Sequence, residues 1–438
     1  MSGVEQRVST VRFVKQRSAI GLAIIAAAAV LGGCASNAPQ DTWKPAGENA
    51  QDIQNLQWPV FLVAGIVGVV VFAVIVYVLI RYRDRGQEMP QQTHGKPALE
   101  IALTILPALI LIGVGIPTVS TVFSLSKSDD TQCVVNVTGQ QWWWEYEYPV
   151  QNCGGVDIAE PIVTSGELVM PAKVNVLLRI TSNDVIHSYW IPKLNGKRDA
   201  VPGRIHPLRM QADQPGIYSG QCTEFCGLSH ARMRMDAVSL DGDDFATWVS
   251  NQLEPAPKPT DALALRGEDT YRAQCARCHQ VNGLTEENAD GTNSAKPVIA
   301  FPDLYVVAGN APNLTNLMTR TTFAGATWDL LTDECRATLR DAKPEEFGAL
   351  YLQGVTPECF NEAELREWIR NPPAKKPMYS SEKEKADNGG KYRGMPNLNL
   401  TEHAITIRPL CFSAKTFKSL PKDLQDAVLK AGREARAH

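Results

Sequence analysis

Two apolar runs near the start most narrowly limit what this chain can fold into. Pro59 to Ile80 holds 22 residues without a charge, and Ile101 to Phe123 is a second uncharged stretch. About 20 apolar residues cross the hydrocarbon core of a bilayer as a helix. In lipid each backbone polar group must be satisfied within the segment, which leaves a helix as the solution for an isolated run. The pattern therefore predicts a transmembrane helical hairpin over 58–124, with helices over 58–80 and 100–124. Trp58 stands where an interfacial aromatic belt forms. Pro107 and Pro117 are tolerable where neighbouring helices cover the freed carbonyls.

Charge orients the hairpin. The loop between the runs carries Arg81, Arg83, Arg85 and Lys96, whereas 35–57 carries Lys44 against Asp41, Glu48 and Asp52. The positive-inside rule puts the loop in the cytoplasm and all that follows residue 124 on the outer face. Residues 1–34 read as a signal, with Arg7, Arg12, Lys15 and Arg17 before an apolar core, Ala19 to Leu31, too short to span. It ends Leu31-Gly32-Gly33-Cys34, which resembles a bacterial lipoprotein signal with Cys34 lipidated. An ordinary signal or an uncleaved anchor is the other reading. The expected location is a bacterial inner membrane, multi-pass, with the remaining domains on the periplasmic face and membrane lipids as partners. Glu100, at the cytoplasmic mouth of the second helix, is either a solvated helix-start carboxylate or a functional group.

Beyond residue 130 the texture changes. Val134–Val137, Lys173–Ile180 and Met235–Leu240 read as short strands between Gly and Pro breaks, so 130–254 is expected to be an all-β sandwich or barrel. Its most telling stretch is Cys222-Thr223-Glu224-Phe225-Cys226-Gly227-Leu228-Ser229-His230-Ala231-Arg232-Met233. Thiolate and thioether are soft ligands that suit copper(I), and imidazole suits copper in either state. A disulfide or a zinc site is the plainer reading, but zinc sites pair two such cysteine couples and do not use Met. Two thiolates can bridge two copper ions. Each ion then needs one imidazole and one weak axial ligand. His230 and the upstream His187 supply the imidazoles, Met233 one axial ligand and the Glu224 carbonyl the other.

A Pro-rich linker over 255–262 leads to Cys275-Ala276-Arg277-Cys278-His279. Cys-x2-Cys-His is the attachment pattern of haem c: Cys275 and Cys278 form the thioethers and His279 binds the iron. A redox Cys-x2-Cys pair is the alternative. The expected cytochrome c domain spans 263–401 and is mainly α. Its sixth iron ligand should be Met, because Met raises the potential. Gly394-Met395-Pro396 and Ala311-Pro312-Asn313-Leu314 resemble loops of class I cytochromes c, so Met395 is preferred, with Met378 second. The long gap from His279 to Met395 calls for an insertion, placed at 324–360 between Cys335 and Cys359. With 10 cysteines, Cys133 with Cys153 and Cys335 with Cys359 are candidate pairs, leaving Cys411. Residues 402–438 form an atypical tail. The net charge of −4 argues against a nucleic-acid partner.

Taken together, the hairpin with Glu100 and Thr104-Ile105-Leu106-Pro107, the run Gly139 to Tyr148, Asp184-Val185-Ile186-His187 and the Cys222–Met233 loop resemble subunit II of the haem-copper cytochrome c oxidases over 50–254. The resemblance implies a multidomain membrane protein with a two-helix hairpin and a cupredoxin sandwich. It also implies a dinuclear copper A centre on His187, Cys222, Glu224, Cys226, His230 and Met233. Trp142 falls on the aromatic residue through which electrons enter, Glu100 on a proton-path carboxylate, and Glu224 beside a magnesium site shared with subunit I. Implied partners are oxidase subunits I and III and a cytochrome c or cytochrome bc1-type donor. A metal-free quinol-oxidase-type subunit and a copper assembly protein are the rivals.

Overall fold

The computed structural model describes residues 38–83, 86, 94–127, 130–254, 259–276, 278–282, 311–378 and 394–395. Cys34 with its signal, Cys411 and the 402–438 tail lie outside them. Among the described residues, helices α1 (Glu48–Arg81) and α2 (Pro97–Leu125) are the two long apolar helices, and the side chains along both spans are exposed to the surroundings. At 1.5 Å per residue a helix of 34 residues is roughly 50 Å long, about 20 Å more than the hydrocarbon core. The excess is at the start: α1 begins at Glu48, well before Trp58. Asn49 is buried, its side-chain oxygen accepting from Arg209 Nε and Nη2 at 3.2 and 2.9 Å. The Glu48 N–H donates to Gln211 Oε1 at 3.1 Å. These first turns are held by the outer domain, a contact that hydropathy cannot register.

The outer domain is built from β1 (Cys133–Gln140), β2 (Trp143–Tyr148), β3 (Gln151–Cys153), β4 (Val156–Ile158), β5 (Ile162–Ser165), β6 (Glu167–Pro171), β7 (Val176–Ser182), β8 (His187–Tyr189), β9 (Arg198–Ala200), β10 (His206–Met210), β11 (Gly216–Gln221) and β12 (Arg234–Leu240). One sheet runs β10-β7-β1-β2-β5 and the other β11-β12-β6. The expected all-β sandwich is therefore present. β1 pairs in parallel with β7, Cys133 opposite Val176, and alternates inward residues (Cys133, Val135, Val137) with half-buried ones. Cys133 is bonded to Cys153. In β2, Trp144, Tyr146 and Tyr148 point inward, as period-two alternation requires. Trp142 instead lies in the turn before β2, and Trp143 is buried too.

The reason for Trp143 is a further layer. Helices α3 (Gly242–Leu253) and α4 (Ala262–Gln274) follow the sandwich, and beyond residue 282 the described chain resumes at 311. A hairpin of β13 (Thr322–Phe323) and β14 (Trp328–Asp329) precedes α5 (Asp333–Asp341), α6 (Pro344–Leu352), α7 (Glu362–Arg370) and α8 (Pro372–Lys375). Cys335 is bonded to Cys359 across this lobe. Phe323, Leu339, Phe347, Tyr351 and Met378 share one apolar core with the sandwich. Glu167 of β6, 1 % exposed, fastens it: Oε1 accepts from the N–H and hydroxyl groups of Thr321 and Thr322 at 2.7–2.8 Å, and Oε2 from Tyr351 Oη at 3.0 Å. Gly325 lies so close that a Cβ there would meet the Trp142 carbonyl at 2.6 Å.

The sandwich also buries Asp236 of β12. Burial pushes its carboxyl up to about 6, against the hydrogen bond from Ser219. The folded pKa exceeds the unfolded value of about 4, so folding favours the protonated form. That contribution is complete below about pH 4 and disappears as pH rises to about 6. Asp236→Asn should therefore stabilise the outer domain by about 2–3 kcal/mol at pH 7.5 and far less at pH 4. Denaturation at the two pH values measures this, and an equal gain at both would refute it.

Candidate metal centre

His187 opens β8 and is fully buried. Its Nε2 donates to Asp184 Oδ1 at 2.8 Å. Asp184 in turn accepts from the Gln141 and Val185 N–H groups at 2.8 and 2.7 Å. Burial pushes this carboxyl up, but the bonds from His187, Gln141 and Val185 outweigh it and hold it below its usual range. With the ring proton committed to Nε2, the lone pair falls on Nδ1. That buried Nδ1 has no hydrogen-bond partner among the described residues.

The Cys222–Met233 loop closes opposite. Cys222 follows β11, with its N–H bonded to the Met233 carbonyl at 2.9 Å, and the Thr223 N–H reaches the Ser188 carbonyl beside His187 at 3.0 Å. Cys222 Sγ stands 3.9 Å from Cys226 Sγ and 3.3 Å from the Glu224 carbonyl oxygen. Cys226 Sγ stands 3.6 Å from His230 Nδ1 and 3.9 Å from Met233 Sδ. The donor atoms of His187, Cys222 and Cys226 all lie within 4.8 Å of one another. The structure thus brings together all six groups singled out in the sequence. The neighbouring Cys226 thiol holds Cys222 below its usual range, against the push of burial, while Cys226 is driven up.

Trp142 does not face water: it is 5 % exposed. Its indole N–H donates to the Cys226 carbonyl at 3.1 Å, and Gln141 Nε2 donates to the same oxygen at 2.7 Å. Gly227, at φ +111°, allows this close approach: a Cβ there would meet Gln141 Nε2 at 3.0 Å. Phe225 is 77 % exposed, and Leu228, Val185 and Ile186 are exposed apolar residues too.

The haem-type motif lies at the end of α4. The N–H groups of Cys278 and His279 both donate to the Cys275 carbonyl, at 3.0 and 2.9 Å, so one turn gathers all three side chains. His279 Nδ1 donates to the Pro312 carbonyl at 2.8 Å, leaving Nε2 as its second nitrogen. Burial pushes His279 below its usual range. Met395 and Met378 are adjacent, the Met395 N–H donating to Met378 Sδ at 3.1 Å, and Met378 is buried in the core shared with the sandwich. Glu100 is exposed in the first turn of α2. Sequence reasoning assigned no role to Asp184, although its place three residues before His187 was a usable signal. Glu167 and Lys376 had none, because the Glu167 partners and the Trp142 carbonyl that meets Lys376 are more than 150 positions away.

Residues 133–239 match the periplasmic domain of cytochrome c oxidase subunit II, and 39–121 match its transmembrane domain. The chain is 32 % identical over 292 residues to cytochrome c oxidase subunit 2 of Alkalihalophilus pseudofirmus, covering 65 % of this chain and 81 % of that one. The chain belongs to the cytochrome c oxidase subunit II family. Subunit II of this kind is a membrane protein with a periplasmic domain, serves electron transport in a terminal oxidase and associates with subunit I. The quinol oxidase subunit 2 of Bacillus spizizenii is also similar, 34 % identical over 249 residues, with 55 % of this chain and 74 % of that one aligned. The periplasmic domain of cytochrome oxidase subunit II from Bradyrhizobium japonicum is 29 % identical, covering 29 % of this chain and 96 % of that one, at a TM-score of 0.26.

Proposed function

We propose that this subunit II receives electrons from a cytochrome c or cytochrome bc1-type donor on its own haem c. It passes them through a dinuclear copper A centre to haem in subunit I, where O2 is reduced with proton translocation. The observation that carries this reading is the convergence of six donor groups, the buried His187 Nδ1 among them. His187, Cys222, the Glu224 carbonyl, Cys226, His230 and Met233 would hold the coppers. Soft sulfur with imidazole is a copper donor set, and two thiolates suit a bridged pair. Bound copper would supply one-electron storage shared over two ions, so that each bond changes little on transfer. The chain's own contribution is rigidity: Asp184 fixes the His187 ring, and Trp142 and Gln141 pin the loop from behind.

Cys275 and Cys278 would carry the haem, with His279 and Met395, or Met378, on its iron. Trp142, buried against the loop, would pass electrons inward from the haem c, and Glu100 would be the mouth of the proton path. The exposed Glu224 side chain would face a magnesium site shared with subunit I, and the exposed Phe225 and Leu228 suit an interface with that subunit. Subunit III, a lipid on Cys34 and a bacterial inner membrane complete the picture. The quinol-oxidase relative favours a second reading, a subunit that keeps the fold without copper. The donor set speaks for the first.

Optical and EPR spectra of the full chain, expressed with haem c maturation and supplied with copper, test the proposal. A c-type haem band with a mixed-valence copper signal is expected. Metal-replete protein without the copper signal overturns it. Asp184→Ala should lower copper affinity about 10–100-fold, the usual cost of losing the group that orients a ligating histidine. A competitive copper titration reads this, and unchanged affinity would remove Asp184 from the site.

A further inference from the structure

We propose that Lys376 sets the reduction potential of the copper centre, its buried ammonium favouring the reduced form. The inference rests on the copper reading above. Lys376 follows α8 and is 3 % exposed. Its Nζ donates to the Trp142 carbonyl at 2.8 Å and the Ala324 carbonyl at 2.7 Å, with Thr327 Oγ1 at 3.5 Å. Three neutral oxygens meet the three protons of an ammonium. No carboxylate lies within ion-pair distance among the described residues.

The position of this cation is specific. Trp142 binds Lys376 through its carbonyl and the Cys226 carbonyl through its indole, so the ammonium and the thiol loop are joined by one residue. The next residue, Pro377, accepts a hydrogen bond from Ser229, which precedes His230. Lys376 and Pro377 therefore lie across the back of the loop. Hydrogen bonding alone does not call for a lysine here, since a neutral donor of similar length could meet the Trp142 and Ala324 carbonyls without the cost of burying a charge. A positive charge lowers the energy of the centre when it holds one more electron. Water exclusion keeps salt from screening that effect. Arg232, on the same loop, is exposed and screened. Burial lowers the Lys376 pKa to about 7, with Arg232 adding to the fall and Cys226 opposing it, so the charge is best read at pH 6.

The test is a redox titration at pH 6 of the full chain, haem-matured and copper-loaded, followed by the mixed-valence copper signal. Lys376→Gln and Lys376→Met should both shift the copper midpoint to lower potential, and Lys376→Arg should keep it near the parent value. Neutral variants with the parent's midpoint overturn the proposal and leave the copper reading standing. Loss of the copper signal in both neutral variants makes Lys376 a structural residue and overturns it as well. A parent chain without any copper signal overturns the reading and the inference together.

Discussion

Glu167→Ala is expected to release the lobe from the sandwich and to cost about 3–5 kcal/mol, the range for removing one member of a buried charged network. Glu167 Oε1 alone takes four hydrogen bonds, and Oε2 takes the fifth from Tyr351. Without the carboxylate, two backbone N–H groups and three hydroxyls lose their acceptor, and each buried unsatisfied donor costs roughly 1–3 kcal/mol. Arg320 loses as well. It is buried, bonded to Ser165 Oγ at 3.0 Å and the Asn313 carbonyl at 2.7 Å, and Glu167 is the nearby charge that supports it. For a domain of this size the loss corresponds to a Tm drop of roughly 10 °C. Hydrogen exchange provides the local reading: amides of 311–378 should lose protection while those of β1 and β7 keep it. Uniform protection across both would show that the lobe does not depend on this anchor.

Cys226→Ser is expected to abolish the mixed-valence copper signal and leave the haem c band in place. Serine nearly matches the shape of cysteine, but its hydroxyl does not ionise at neutral pH and is a hard ligand that copper(I) disfavours. Cys226 stands within 4 Å of Cys222, His230 and Met233, so its loss removes the atom that the other donors share. The fold should survive, because the loop keeps its backbone bonds from Gln141, Trp142 and Cys222. EPR of the copper-treated variant checks the first expectation and circular dichroism the second. A Cys226→Ser variant with an intact mixed-valence signal would exclude a thiolate-bridged pair.

What was legible in the sequence was local. Uncharged runs announce helices in lipid, and α1 and α2 contain them. The donors from Cys222 to Met233 fall within one loop, and their chemistry is readable without coordinates. His187 came from ligand counting, and the structure sets it against the loop. What escaped was long-range. The start of α1 depends on Arg209, some 160 positions away. The burial of Trp143 and Trp142 depends on Gly325 and Lys376, and no periodicity in β2 encodes a cover supplied from that far downstream. Much of the 324–360 stretch, expected as an insertion, shares the core of the sandwich rather than the small cluster of Tyr271, Ala276 and Val281, a packing that its own sequence does not announce.

The wide separation of Glu167 from Thr321 also fixes an order of events. A chain emerging amino end first presents Glu167 long before the 154 further residues that bring its first partner. Until then the carboxylate must stay hydrated, so that side of the sandwich cannot dry. The same interval leaves the underside of the Cys222–Met233 loop open, since Lys376 and Pro377 are made later still. Chain order thus provides a period in which the underside of the loop is uncovered. Closure of the lobe ends that period.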